Sequence, residues 1–213
     1  MDGTLTDPAP GIVACLEYAL QKMGAPEPDD LNFKRFIGPP LQETFCELLG
    51  TSASQDIEAA MAYYRERFTD VGLFENSLYS GIPQALSALA DEGFELRVAT
   101  SKPRVFADRI IDHFGLRRFF SRVYGSELSG ERTDKGDLIQ YILETESLEP
   151  GCACMIGDRR HDVLGAQRHG VLSIGVLWGF GDQEELELVA PHKIVKDVRD
   201  LVRTVRELTG NCY

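Results

Sequence analysis

Asp158 and Asp162 stand four residues apart behind Gly157, at the end of the apolar run Cys152–Ile156. On a helix that spacing puts two carboxylates on one face, where both can converge on one point. Magnesium prefers such hard oxygen donors and keeps some of its waters. In that reading Asp158 binds the ion directly, and Asp162 acts through water or orients the site. The plainer alternative is a helix N-cap followed by a first-turn acid; Gly157 at a strand end favours the metal. Thr100 and Ser101 follow a second apolar run containing Leu96, Val98 and Ala99. A hydroxyl and a backbone amide there can hold a non-bridging phosphoryl oxygen, with Ser101 giving its amide. The pair can equally cap the helix that follows, and both roles are compatible. Lys135 opens a predicted helix, where a cation is not favoured, so it is either a solvated surface residue or a functional one. Asp2-Gly3 taken alone reads as a turn.

Two further segments stand out. Arg35-Phe36-Ile37-Gly38-Pro39-Pro40-Leu41 contains a rigid corner, from which Arg35 either reaches a substrate anion or stands exposed on a helix joint. Trp178-Gly179-Phe180-Gly181 either lines a pocket with aromatic surface or packs a loop. His113, His161, His169 and His192 show no nucleophile partner and no ligand spacing, and read as surface or helix-end residues.

The elements that must position these groups fall into two textures. From Gly11 to about Tyr79 the chain reads as successive amphipathic helices. Ile12, Cys15, Leu16, Ala19, Leu20 and Met23 form one stripe that ends at Gly24. Leu41, Phe45, Leu48 and Leu49 form a second between Pro39-Pro40 and Gly50, and Ile57, Ala60, Met61, Tyr64 and Phe68 a third. From Gly81 onward helices alternate with strands. The predicted strands are Phe94–Ala99, Arg122–Tyr124, Cys152–Ile156 and Leu172–Leu177. The predicted helices are Ile82–Glu92, Val105–Phe114, Lys135–Glu144 and Asp162–His169. Alternation of this kind implies right-handed crossovers and a mainly parallel, doubly wound sheet. The motifs after the strands should meet at its carboxyl edge, where such folds bind ligands. The expected organisation is an α/β core over 1–10 and 80–213, with a helical insert over 11–79 placed as a lid on the site.

Composition sets outer bounds. The chain has 213 residues and a formal net charge of -12, which argues against a nucleic-acid groove or an anionic membrane surface. A few local donors and a metal ion can still outweigh distant repulsion of a phosphate. Five cysteines, Cys15, Cys46, Cys152, Cys154 and Cys212, are irregularly spaced and read as reduced thiols of a cytoplasmic protein. Cys152 and Cys154 are expected on one face of a strand as small hydrophobes. No apolar run approaches membrane-spanning length. The expected state is monomer or homodimer.

Asp2-Gly3-Thr4, Thr100-Ser101, Lys135 and Gly157-Asp158 through Asp162, in that order, resemble the four motifs of the haloacid dehalogenase-like phosphohydrolases. The resemblance covers essentially the whole chain. It implies a Rossmann-like core, a helical cap inserted after the first motif, and magnesium as cofactor. It implies hydrolysis of a small phosphate monoester through an aspartyl-phosphate. Within it, Asp2 is the general acid/base and ligates magnesium through its carbonyl, and Lys135 pairs with the nucleophile and the transferring phosphate. Asp2 argues against the dehalogenase branch, and a phosphomutase is the alternative of the same superfamily. Gly3-Thr4-Leu5-Thr6-Asp7-Pro8, Phe36-Ile37-Gly38-Pro39-Pro40-Leu41 and Trp178-Gly179-Phe180-Gly181 resemble the phosphoglycolate phosphatase group and its nucleoside 5'-monophosphatase relatives. The family's first motif is D-x-D-G-T, with the nucleophile first. Here Asp2 is the second Asp, so the nucleophile position precedes Met1. The expectation is that Met1 is an internal start or a truncation, and that an apolar run ending in Asp-x precedes it. A chain as short as this one would lack a central strand and would bind phosphate and magnesium with little turnover.

Overall fold

The computed structural model describes residues 1–25 and 36–210. The chain divides into a larger unit, Met1–Thr6 with Leu78–Tyr213, and a smaller one, Asp7–Ser77. The sequence-based boundaries at 10/11 and 79/80 lie slightly further along the chain. The two-residue strands β1 (Thr6–Asp7) and β2 (Ser77–Leu78) sit at the two crossings.

The smaller unit is helical. Helix α1 (Ala9–Met23) buries Ile12, Cys15, Leu16, Ala19 and Leu20 of the stripe read from the sequence, leaves its last member Met23 half-buried, and stops at Gly24 in the left-handed region. Helix α2 spans Leu41–Leu49 and α3 Ser54–Arg67, followed by a π-helical turn, Phe68–Gly72. Arg67 and Glu75 form an ion pair at 2.6 Å within this unit.

The larger unit alternates as expected. After α4 (Ile82–Asp91) come β3 (Leu96–Pro103), α5 (Arg104–His113) and β4 (Phe120–Ser126). Then follow α6 (Lys135–Glu146), β5 (Cys154–Gly157), α7 (Arg160–Arg168) and β6 (Leu172–Val176). Beyond Leu177, where the sequence reading ends, lie α8 (Gln183–Leu188), β7 (Lys193–Val195) and α9 (Val198–Thr209). All pairings among β3–β7 are parallel.

Those five strands form two pieces, β3–β4 and β5–β6–β7. Strands β3 and β5 therefore each have one edge without a strand partner among the described residues. Burial follows pairing. Ser173, Ile174 and Val176 of β6, flanked on both sides, are fully buried, whereas Cys154, Met155 and Ile156 of β5 are only half-buried. The pieces still share a core, since Leu96 of β3 and Ile156 of β5 pack on one cluster with Leu89, Ile174, Val176, Leu201 and Val205.

Two expectations are corrected. Strand β3 runs on to Pro103 instead of ending at Ala99, so Thr100 lies inside it, paired with Gly125 before the register slips. Cys152 does not share a strand face with Cys154. Pro150–Cys152 is a 3-10 turn held by Pro150, which leaves Cys152 exposed while Cys154 opens β5. Burial of its sulfur pushes the Cys154 thiol up to about 12, which makes it a poor nucleophile. Cys212 lies outside the described residues. Of the histidines, His113, His161 and His192 are exposed and His169 half-buried.

Candidate active site at the carboxyl ends of β3 and β5

Strand β5 delivers Gly157 and then Asp158, which is buried. Its two oxygens have separate partners: the Thr4 hydroxyl donates to Oδ1 at 3.0 Å and the Phe180 amide to Oδ2 at 3.0 Å. Helix α7 begins one residue later with Arg159 as its N-cap, so Asp158 is not the cap. Asp162, in the first turn, accepts the Arg159 amide at 3.2 Å and also faces the site. The first-turn-acid reading of Asp162 thus holds alongside its place among the site charges.

Lys135 opens α6 and is buried rather than solvated. Its ammonium lies 2.9 Å from Asp162 Oδ1 and donates to the Ala99 carbonyl at 3.1 Å. The next residue, Thr100, accepts the Lys102 amide on its hydroxyl at 3.2 Å, which leaves the hydroxyl hydrogen free to donate. The cap of α5 is Pro103, so neither Thr100 nor Ser101 caps that helix. Asp2 completes the group through Lys102, whose ammonium lies 2.9 Å from Asp2 Oδ2. Asp2, Thr100, Lys135, Asp158 and Asp162 therefore meet as the sequence anticipates. Arg35 lies outside the described residues.

The loop after β6 is a part of the site that sequence reading left undecided. Trp178 packs on the core and donates its indole N–H to the Thr4 carbonyl at 3.0 Å, which fixes the Asp2 loop. Gly179 passes so close that a Cβ there would stand 2.2 Å from the Gly3 carbonyl oxygen and 2.4 Å from Asp158 Cβ. Gly3 has φ +73, and a Cβ on it would fall 2.0 Å from Asp158 Oδ2. The signal was present as alternating glycines after a strand, a pattern that marks close backbone approach.

The charges perturb one another. Burial pushes the Asp158 carboxyl up, and the nearby Asp162 charge pushes the same way, against the Phe180 amide and the Thr4 hydroxyl. Burial would raise Asp162 too, yet the Lys135 ammonium, with two hydrogen bonds, holds it below the ordinary carboxylate range.

Among the described residues no three His, Cys, Asp or Glu side chains converge as a metal cage. Magnesium does not require one, because it commonly takes one or two carboxylates together with waters and substrate oxygens. Two buried carboxylates, one of them resisting ionisation beside the other, suit a hard divalent cation. The site offers oxygen donors for a metal, an ammonium and a hydroxyl for an oxyanion, and a carboxyl for proton transfer. No described helix is long and apolar enough to cross a membrane.

The haloacid dehalogenase-like hydrolase family model matches residues 1–176. A 5'-nucleotidase of Pseudomonas aeruginosa is 47% identical over 201 residues, covering 94% of this chain and 90% of that protein. The tyrosine-protein kinase PtkA of Mycobacterium tuberculosis is 40% identical over 182 residues, 85% of this chain but 61% of that longer protein. A crystal structure of a predicted phosphatase from Clostridium acetobutylicum superposes with a TM-score of 0.91 at 42% identity, covering 98% of this chain and 96% of that one. With the parallel α/β core and the four motifs in one place, the chain belongs to the haloacid dehalogenase-like hydrolases.

Proposed function

We propose that the protein is a magnesium-dependent phosphomonoesterase acting on a small phosphorylated metabolite, with a nucleoside 5'-monophosphate as the preferred class and phosphoglycolate as the other candidate. The observation that carries this reading is the set of contacts linking these motifs: Lys135 with Asp162 and with the Ala99 carbonyl beside Thr100, Lys102 with Asp2, and Thr4 with Asp158. The similarity to a 5'-nucleotidase along nearly the whole chain favours the nucleotide.

In this reading the nucleophile is a carboxylate two positions before Asp2, and the reaction passes through an aspartyl-phosphate. Asp2, as the acid, gives its proton to the ester oxygen as the P–O bond breaks, and the electron pair stays on that oxygen. Asp2, now a carboxylate, then takes a proton from the water that attacks phosphorus, while the bond between phosphorus and the nucleophile's oxygen breaks, freeing phosphate and restoring the nucleophile as a carboxylate. Thr100 donates its hydroxyl hydrogen to a non-bridging oxygen, with the Ser101 amide beside it. Lys135 holds Asp162 in place and supplies positive charge next to the transferring group. Asp158, Asp162 and the Asp2 carbonyl would hold magnesium, which when bound neutralises charge on the phosphoryl oxygens.

The test is phosphate release with magnesium from nucleoside 5'-monophosphates, phosphoglycolate and sugar phosphates, comparing the 213-residue chain with one extended upstream. Turnover by the extended chain with nucleotides as best substrates is the expected result. A folded extended chain that binds phosphate and magnesium without turnover would establish a binding protein instead. The similarity to PtkA favours a second reading, in which the phosphoryl group passes to a tyrosine hydroxyl instead of water. Phosphotyrosine formation from a nucleoside triphosphate, without release of free phosphate, would identify it.

A further inference from the structure

We propose that Lys102 is a positioning residue for the acid/base: its ammonium holds Asp2 by one carboxylate oxygen and so aims the other at the ester oxygen that departs. The proposal rests on the phosphomonoesterase reading above.

The geometry is specific to the two oxygens. Lys102 Nζ lies 2.9 Å from Asp2 Oδ2, with side-chain exposures of 9% and 19%. Asp2 Oδ1 is buried and has no hydrogen-bond partner among the described residues. A buried carboxylate oxygen without a partner is costly, and such groups call for an explanation. A substrate oxygen sharing a proton with Oδ1 would supply one. The strand makes this placement possible. Lys102 lies two residues beyond Thr100 in β3, at the register slip between Thr100 and Pro103. The Lys102 amide also bonds the Thr100 hydroxyl at 3.2 Å. One residue thereby ties the oxyanion hydroxyl to the acid/base carboxylate. The two lysines divide the carboxylates between them, Lys135 taking Asp162 and Lys102 taking Asp2.

Proton donation matters most when the leaving oxygen is a poor leaving group. A ribose 5'-oxygen needs the proton as its bond to phosphorus breaks, whereas p-nitrophenolate departs without it. The experiment compares Lys102→Met and Lys102→Arg with the active wild-type enzyme on a nucleoside 5'-monophosphate and on p-nitrophenyl phosphate, at saturating magnesium. Lys102→Met is expected to lower kcat/KM for the nucleotide about 10²-fold, the lower range of a general-acid contribution. On p-nitrophenyl phosphate the expected change in kcat/KM is several-fold at most, because this ratio reports the first transfer and not the breakdown of the aspartyl-phosphate that both esters share. Lys102→Arg should recover much of the loss, and a crystal structure of Lys102→Met should show the Asp2 carboxylate turned from its present position. Equal loss of kcat/KM on both esters would overturn the proposal. So would a matching weakening of inorganic phosphate as an inhibitor, which would make Lys102 a substrate-binding group, or an Asp2 side chain left unmoved in the variant. A wild-type enzyme that hydrolyses neither ester would overturn the phosphomonoesterase reading itself, and this proposal with it.

Discussion

Two regions of the larger unit carry ion pairs of nearly equal length and opposite consequence. On the outer face of α9, Arg199 and Asp197 approach to 2.6 Å with side-chain exposures of 87% and 41%. At the sheet edge, Lys135 and Asp162 approach to 2.9 Å with exposures of 8% and 12%. The shorter pair is the weaker one. In water each charge on α9 keeps its hydration, and the attraction is screened. At the sheet edge hydration has been surrendered, so each charge depends on its partner. Distance does not rank these pairs; burial does. The same loss of hydration lets Asp162 raise Asp158 and gives a bound cation something to relieve.

The sharpest way to break the comparison is Lys135→Met, which leaves Asp162 buried without its counter-charge. Removing one member of a buried pair costs about 3–5 kcal/mol, read as a lower urea midpoint at pH 7. Its pH dependence has a defined sign. Because Asp162 is held below the ordinary range, its stabilisation is fully present above the unfolded carboxyl value of about 3.9 and is lost as pH falls through the folded value. Wild type and variant should therefore converge in acid. A constant gap down to the lowest pH would show that Lys135 acts by packing alone.

Gly3→Ala comes next. It combines φ +73 with a Cβ 2.0 Å from Asp158 Oδ2, and a strained backbone position of this kind costs about 1–3 kcal/mol. The urea midpoint should fall, and magnesium affinity with it, since Asp158 must shift. An unchanged affinity, read by calorimetry, would remove Asp158 from the metal site. Trp178→Phe keeps most of the packing but loses the bond to the Thr4 carbonyl, a loss of about 1 kcal/mol. Arg199→Ala sharpens the comparison from the other side, with an expected melting temperature indistinguishable from wild type. A clear drop would mean that the α9 pair is worth more than its exposure allows.

Much of the architecture was legible from local pattern. The stripe in α1 is buried from Ile12 to Leu20, with Met23 half-buried at the helix end, because the 3.6-residue period fixes which side chains share a face whatever they pack against. Gly24 and Gly50 end their helices in the left-handed conformation for equally local reasons. The misread positions lie where local preference yields to neighbours. Beyond Ala99, β3 continues because β4 offers backbone partners as far as Ser126. The face assigned to Cys152 and Cys154 failed because Pro150 held a turn inside an apolar run.

The site divides along the same line. Sequence alone determined its chemical inventory, since residue type, order and the four-residue step from Asp158 to Asp162 are properties of the chain itself. Tertiary structure decided the pairing: Lys135 with Asp162, Lys102 with Asp2, and Thr4 with Asp158 across 154 residues. It also converted an undecided Trp178-Gly179-Phe180 into the clamp on Asp158 and the Asp2 loop. The physical reason is that partner choice and desolvation are set by which strand ends the sheet brings side by side, and no periodicity within one segment encodes that.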